Sequence, residues 1–206
     1  MKIRVQMKTK NFKMIAFCSQ IFNRKGNVTV TWVVALPLFM IFLMFLGSMA
    51  TAWIDHAYSM GTADAVSLAV TKKMDEWVQK ERSIRMGAIA LRNGDRLPGD
   101  PGYIDPHYYL LGTEAKREAF LKSVVEKYSA EIQSIAREYA EKNGGGSSGT
   151  VILSKNGRVE VIAETPYEPL LFKESFPYDR VKGSGVGPKR YYLEWIPNSS
   201  SKKVRY

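Results

Sequence analysis

The sequence predicts an α+β protein hung from one long N-terminal helix, and three observations carry that prediction. Residues 26–54 form a run of 29 without a charge, a proline-free stretch of helical character follows to Arg92, and the last third switches to β-type alternation and turn chemistry.

The apolar run comes first. Crossing a bilayer core takes roughly 20 apolar residues, and this run is longer. It is also apolar all round (Trp32, Val33, Val34, Leu36, Leu38, Phe39, Ile41, Phe42, Leu43 and Phe45 among others), whereas a soluble core helix of that length would show a polar face. Pro37 lies inside it, and membrane helices tolerate proline. Ser48-Met49-Ala50 resembles a small-x-small cleavage site. Secretory signals, however, have apolar cores of about 7–15 residues, so an anchor is expected.

Charge sets the orientation. Lys2, Arg4, Lys8, Lys10, Lys13, Arg24 and Lys25 precede the run, and no acidic residue occurs before Asp55. Positive flanks stay inside, so the expected location is the cytoplasmic membrane in a single pass, with a cytoplasmic N-terminus and an extracytoplasmic C-terminal domain. The net charge of +10 is mostly this topology signal, because residues 55–206 hold 23 Lys+Arg against 20 Asp+Glu. Membrane lipid is an expected partner and nucleic acid is not. Cys18 is the only cysteine, so the outer region has no disulfide.

Residues 55–92 repeat apolar positions at helical spacing (Ala57, Met60, Ala63, Leu68, Trp77, Ile84, Leu91) and are expected to form a helical stalk with a break near Gly87. Residues 93–102 are dense in turn formers and read as a loop. A second amphipathic helix is expected from Thr113, a good N-cap, with Phe120, Val124, Tyr128, Ile132, Ile135 and Tyr139 in one stripe and a stop at Lys142-Asn143-Gly144. Residues 150–154 and 158–164 read as strands joined by the hairpin signal Asn156-Gly157. Residues 191–196 offer a third strand, and Gly183-Ser184-Gly185-Val186-Gly187 reads as a flexible turn, since a phosphate loop would run into a helix. The expected organisation is a basic cytoplasmic tail or leader (1–26), a transmembrane helix (27–54), a helical stalk (55–92) and an extracytoplasmic α+β domain with a small antiparallel sheet (93–206).

Little here points to catalysis. His56 and His107 are the only histidines, and no nucleophile–base–orienter set accompanies them. Structural zinc needs several Cys or His ligands. Asp95, Asp100 and Asp105 stand five apart, unlike the alternate-position calcium pattern, and read as turn formers. No catalytic, cofactor or metal residue is assigned, and no enzyme activity is expected. The late aromatics Tyr167, Phe172, Phe176, Tyr178, Tyr191, Tyr192 and Trp195 read first as core packing and second as a contact surface.

One constellation goes further. Arg24-Lys25-Gly26-Asn27-Val28-Thr29-Val30-Thr31-Trp32 joins a basic-glycine boundary to the apolar run and to Ala35-Leu36-Pro37-Leu38, and Ala63-Asp64-Ala65 follows the span. Over residues 24–72 this resembles the TadE/TadG-like family of bacterial pilus-assembly proteins, minor pilin-like subunits of tight-adherence pili. The resemblance implies a pilin-like fold, other pilus or secretion-system subunits as partners, and a prepilin peptidase cutting between Gly26 and Asn27. It also implies a helix that packs with its like, for which the small residues Gly47, Ala50, Ala57 and Gly61 allow close approach. Thr31 stands where such chains commonly carry glutamate. Two versions follow, a processed minor pilin or pseudopilin and an uncut membrane-anchored assembly factor, and the missing carboxylate favours the second. The main rival is a signal-anchored surface protein with a ligand-binding or sensing outer domain.

Overall fold

A computed structural model describes residues 28–146, 148–167 and 180–206. The basic tail with Cys18, the Gly26–Asn27 boundary, and Phe172, Phe176 and Tyr178 lie outside the described residues. The chain is α+β. Helix α1 (Val28–Asn93) is followed by α2 (Pro106–Leu111), α3 (Glu114–Lys127), α4 (Ser129–Lys142), and strands β1 (Ser148–Lys155), β2 (Arg158–Pro166), β3 (Arg180–Val186) and β4 (Lys202–Arg205). A 3-10 turn at Tyr191–Trp195 lies between β3 and β4. Two compact units divide the chain, Met1–Gly47 and Ser48–Tyr206.

The described part of the first unit is helix alone. Every side chain from Thr31 to Leu46 is exposed, and this is the one helix long and apolar enough to cross a membrane among the described residues. Pro37 is accommodated without ending it.

In the second unit α1 buries one face. Ser59, Thr62, Ala63, Val66, Ser67, Val70, Thr71, Met74, Val78 and Glu81 are buried, recurring every three or four residues. Residues 59–81, within the expected helical stalk, therefore supply the central helix of the domain core. The helix also runs through Gly87 to Asn93 without a break. Asn93 then holds the following loop closed. Its amide donates to Ile104 O (2.8 Å), and its carbonyl oxygen accepts from Ile104 N (3.0 Å).

The expected second helix is two helices. Thr113 caps α3 by accepting from Lys116 N, but the chain turns at Tyr128 (φ −102°, ψ 17°). Tyr128 is fixed from outside the helix, its ring stacked on Trp77 at 4.7 Å and its hydroxyl donating to Glu81 at 2.9 Å. Beyond the turn the buried positions are Ile132, Ala136 and Ala140, and Tyr139 faces solvent. The single stripe read from the sequence is thus two stripes of different phase. Asp105 caps the short helix α2 by accepting from Tyr108 N, and Pro106 opens it, beyond the expected loop of residues 93–102.

The sheet is antiparallel with order β3-β2-β1-β4. The hairpin at Asn156-Gly157 forms as expected, both residues at positive φ (54° and 73°). One core-facing row aligns Gly185, Val161, Val151 and Val204. The next aligns Gly183, Ala163 and Gly149, with Gly149 bonded to the Tyr206 backbone. In both rows the β3 position is a glycine with no side chain.

Two strand assignments change. Residues 183–186, expected as a turn, lie in β3, and residues 191–196, expected as a strand, are mostly the 3-10 turn. The reason is periodicity: Leu193 and Ile196 are buried while Tyr191 is 68% exposed, which is helical spacing and not alternation. Strand β4 carries no β-type signal because its Lys-Lys-Val-Arg sequence is polar, a composition that an edge strand tolerates.

Candidate functional site

The described residues of the helix-contact and post-span sets lie on α1, and within the second unit they divide between an inward and an outward face. The inward face meets β3. A Cβ on Gly183 would overlap the backbone of Ser59 and Met60, and one on Gly185 would overlap that of Ala63 and Asp64. A Cβ on Gly187 would sit 2.6 Å from Thr71 Oγ1 and 3.1 Å from Ser67 O. Four helix residues rise about 6 Å and two strand residues about 6.6 Å. Ser59, Ala63 and Ser67 therefore keep step with Gly183, Gly185 and Gly187. Ser59 Oγ donates to Ala163 O at 2.9 Å, and His56 Nδ1 lies 3.1 Å from Lys182 O, so polar contacts tie the same seam.

Two polar clusters fix the far part of this helix. Arg190 Nε donates to both carboxylate oxygens of Asp75 (2.9 Å each), and the Tyr192 hydroxyl donates to Asp75 at 2.8 Å. Burial and the adjacent Asp75 carboxylate raise the Tyr192 phenol far above its ordinary value, so it stays a donor. Glu81 is 4% exposed. Lys127 Nζ (2.5 Å) and the Tyr128 hydroxyl (2.9 Å) both donate to it, and Arg85 Nε stands 3.9 Å away. The hydrogen bond from Lys127 holds the Glu81 carboxyl below the usual carboxylate range against the opposing effect of burial. Buried carboxylates of this kind are stable only when so paired.

The outward face carries the small residues. Ala50, Ala57 and Gly61 are exposed, and a Cβ added to Gly61 meets nothing within 4 Å. Gly47 is half-buried, and Thr31 is exposed in the first unit. Of the post-span motif, Ala63 is fully buried beneath β3, Asp64 is exposed and Ala65 is half-buried. Gly26 and Asn27 lie outside the described residues.

Two of the loop aspartates serve the backbone. Asp100 accepts from Leu97 N (2.7 Å) and Asp105 from Tyr108 N (2.9 Å). No group of three or more His, Cys, Asp or Glu side chains able to hold a metal occurs among the described residues. Sequence reasoning missed the glycine strand and the partners of Asp75 and Glu81. The first had a signal, because glycines at every second position match small helix residues at every fourth. The second had none, since Asp75 and Arg190 are 115 positions apart.

No protein-family model, curated protein or solved structure matches this chain.

Proposed function

We propose that this chain is a membrane-anchored TadE/TadG-like protein that helps to build or cap a bacterial pilus or secretion filament, as a minor pilin or pseudopilin. One observation carries the reading. A single helix is apolar and exposed over its first part, and from Ser59 onward it bears an antiparallel sheet on a glycine-lined edge strand. The division of labour suits a pilin-like subunit: the apolar part is content in lipid or among like helices, and the sheet-bearing part displays a domain outside. Its partners are other subunits of the same assembly, and it acts by contact, not by catalysis. The anchor sits in the cytoplasmic membrane, with the basic N-terminus in the cytoplasm.

Thr31 favours the uncut form. In a processed subunit a carboxylate at that position would neutralise a neighbouring N-terminal amine, and a threonine hydroxyl cannot. The test is the N-terminus of protein recovered from its native host, read by intact mass. A chain starting at Met1 is expected for a permanently anchored assembly factor, and one starting at Asn27 makes it a processed filament subunit. A start at Thr51 would overturn the anchor, and absence from sheared filaments and from their membrane assembly complex would overturn the pilus reading.

A further inference from the structure

The last turns of α1 have one face held and one face bare. On the held face Arg85 donates to Ser123 Oγ at 2.8 Å and lies 5.1 Å over the Phe120 ring, and Met86 packs on the core. The bare face carries Ile84, Gly87, Ala88 and Leu91. Ile84 is 54% exposed and Leu91 85%, the highest value for a large apolar side chain among the described residues. A Cβ added to Gly87 meets nothing within 4 Å. The spacing 84, 87, 88, 91 is that of an amphipathic helix seating in a groove. Scattered exposed apolar residues are ordinary on a protein surface; a contiguous apolar face rimmed by polar groups marks a contact.

Charge identifies the occupant. Lys80, one turn before Ile84, and Arg92, one turn after Ala88, are exposed and have no ion pair among the described residues. Between them the only acidic residue is Glu81, which is buried and committed to Lys127 and Tyr128. An apolar stripe bracketed by unpaired cations complements an apolar groove rimmed by carboxylates. An anionic bilayer would answer the same charges. However, Leu91 lies 37 residues beyond Ile54, roughly 55 Å of helix from the end of the apolar run.

We infer that Ile84, Gly87, Ala88 and Leu91, bracketed by Lys80 and Arg92, are a docking face for a groove on a different protein that is apolar at its floor and acidic at its rim. The inference rests on the apolar run being the membrane anchor and not on the filament reading. A photo-crosslinking residue placed at position 84 or 91 of the full chain in its native host should give an adduct with one protein, and the same residue at the exposed Gln79 should not. Peptide sequencing should place the adduct beside Asp or Glu residues. Lys80→Glu with Arg92→Glu should cut its yield roughly tenfold or more while leaving thermal unfolding unchanged. Absence of an adduct, an adduct with a second copy of this chain or with lipid, or a yield indifferent to charge reversal would overturn the inference.

Discussion

Glycines at two positions have opposite consequences. Gly185 has the backbone of Ala63 and Asp64 where a Cβ would go, so Gly185→Ala must push β3 off α1. Overpacking against backbone that cannot yield costs about 2 kcal/mol or more. Gly61 has open space and ordinary helical geometry. There Gly61→Ala should stabilise the fold by about 0.5–1 kcal/mol by restricting the unfolded chain. Thermal unfolding of the full chain in detergent micelles measures both, and a fall for Gly61→Ala would mean that the outward face is not free. Glu81 adds a pH dependence. Its carboxyl is held below the usual range, so its contribution is complete above the ordinary carboxylate value and is lost as pH falls through the depressed one. Glu81→Gln should cost about 1–3 kcal/mol at neutral pH, because Lys127 and Tyr128 lose a charged acceptor. Lys127 is 55% exposed, so screening puts the cost toward the lower end of that range. The variant's melting temperature should also vary less between about pH 6 and pH 3, as read from parallel melts.

At the scale of elements, what was legible was what depends on neighbours in sequence. The apolar run, the Thr113 cap and the Asn156-Gly157 hairpin are short-range signals, and each forms where expected. What failed depends on distant partners. Tyr128 breaks a helix because Trp77 and Glu81, on another element, hold its ring and hydroxyl. Residues 183–186 look like a turn until Ser59, Ala63 and Ser67 are laid beside them, after which the glycines read as clearance for a helix. Leu193 and Ile196 become a 3-10 turn because the core takes them at helical spacing. The candidate site was legible in part: Ala63 is placed by short-range pattern, and its partner Gly185 is not. Asn93 tests how the loop is joined to α1. Asn93→Ala leaves the Ile104 amide and carbonyl without their side-chain partners, a loss of about 1–2 kcal/mol. Limited proteolysis should therefore cut within residues 94–104 sooner than in the parent, and unchanged cutting would show that the loop is held by other means.

At the scale of the whole molecule, the two units differ in what they bury. Every buried apolar residue among the described residues lies at or beyond Ala63, so residues 48–206 hold a core of their own. That fragment is expected to fold without detergent and to keep the cooperative melt of the full chain, checked by circular dichroism and sedimentation. The first unit offers only exposed apolar side chains from Thr31 to Leu46, a surface that lipid or neighbouring helices would cover. If the surface-protein alternative holds instead, the outer domain would bind a ligand with no filament genes required.

The orientation of the chain across the membrane is the claim on which these readings rest, and its single natural cysteine makes it directly measurable. In a host lacking a prepilin peptidase, Cys18 stays on the chain, while Asp95→Cys in a Cys18→Ser background marks the exposed loop after α1. With a membrane-impermeant maleimide on spheroplasts, position 95 should label at once and Cys18 only after lysis, with the protein resisting alkaline carbonate extraction. Labelling of Cys18 on intact spheroplasts, or recovery of the protein in the soluble fraction, would contradict the account.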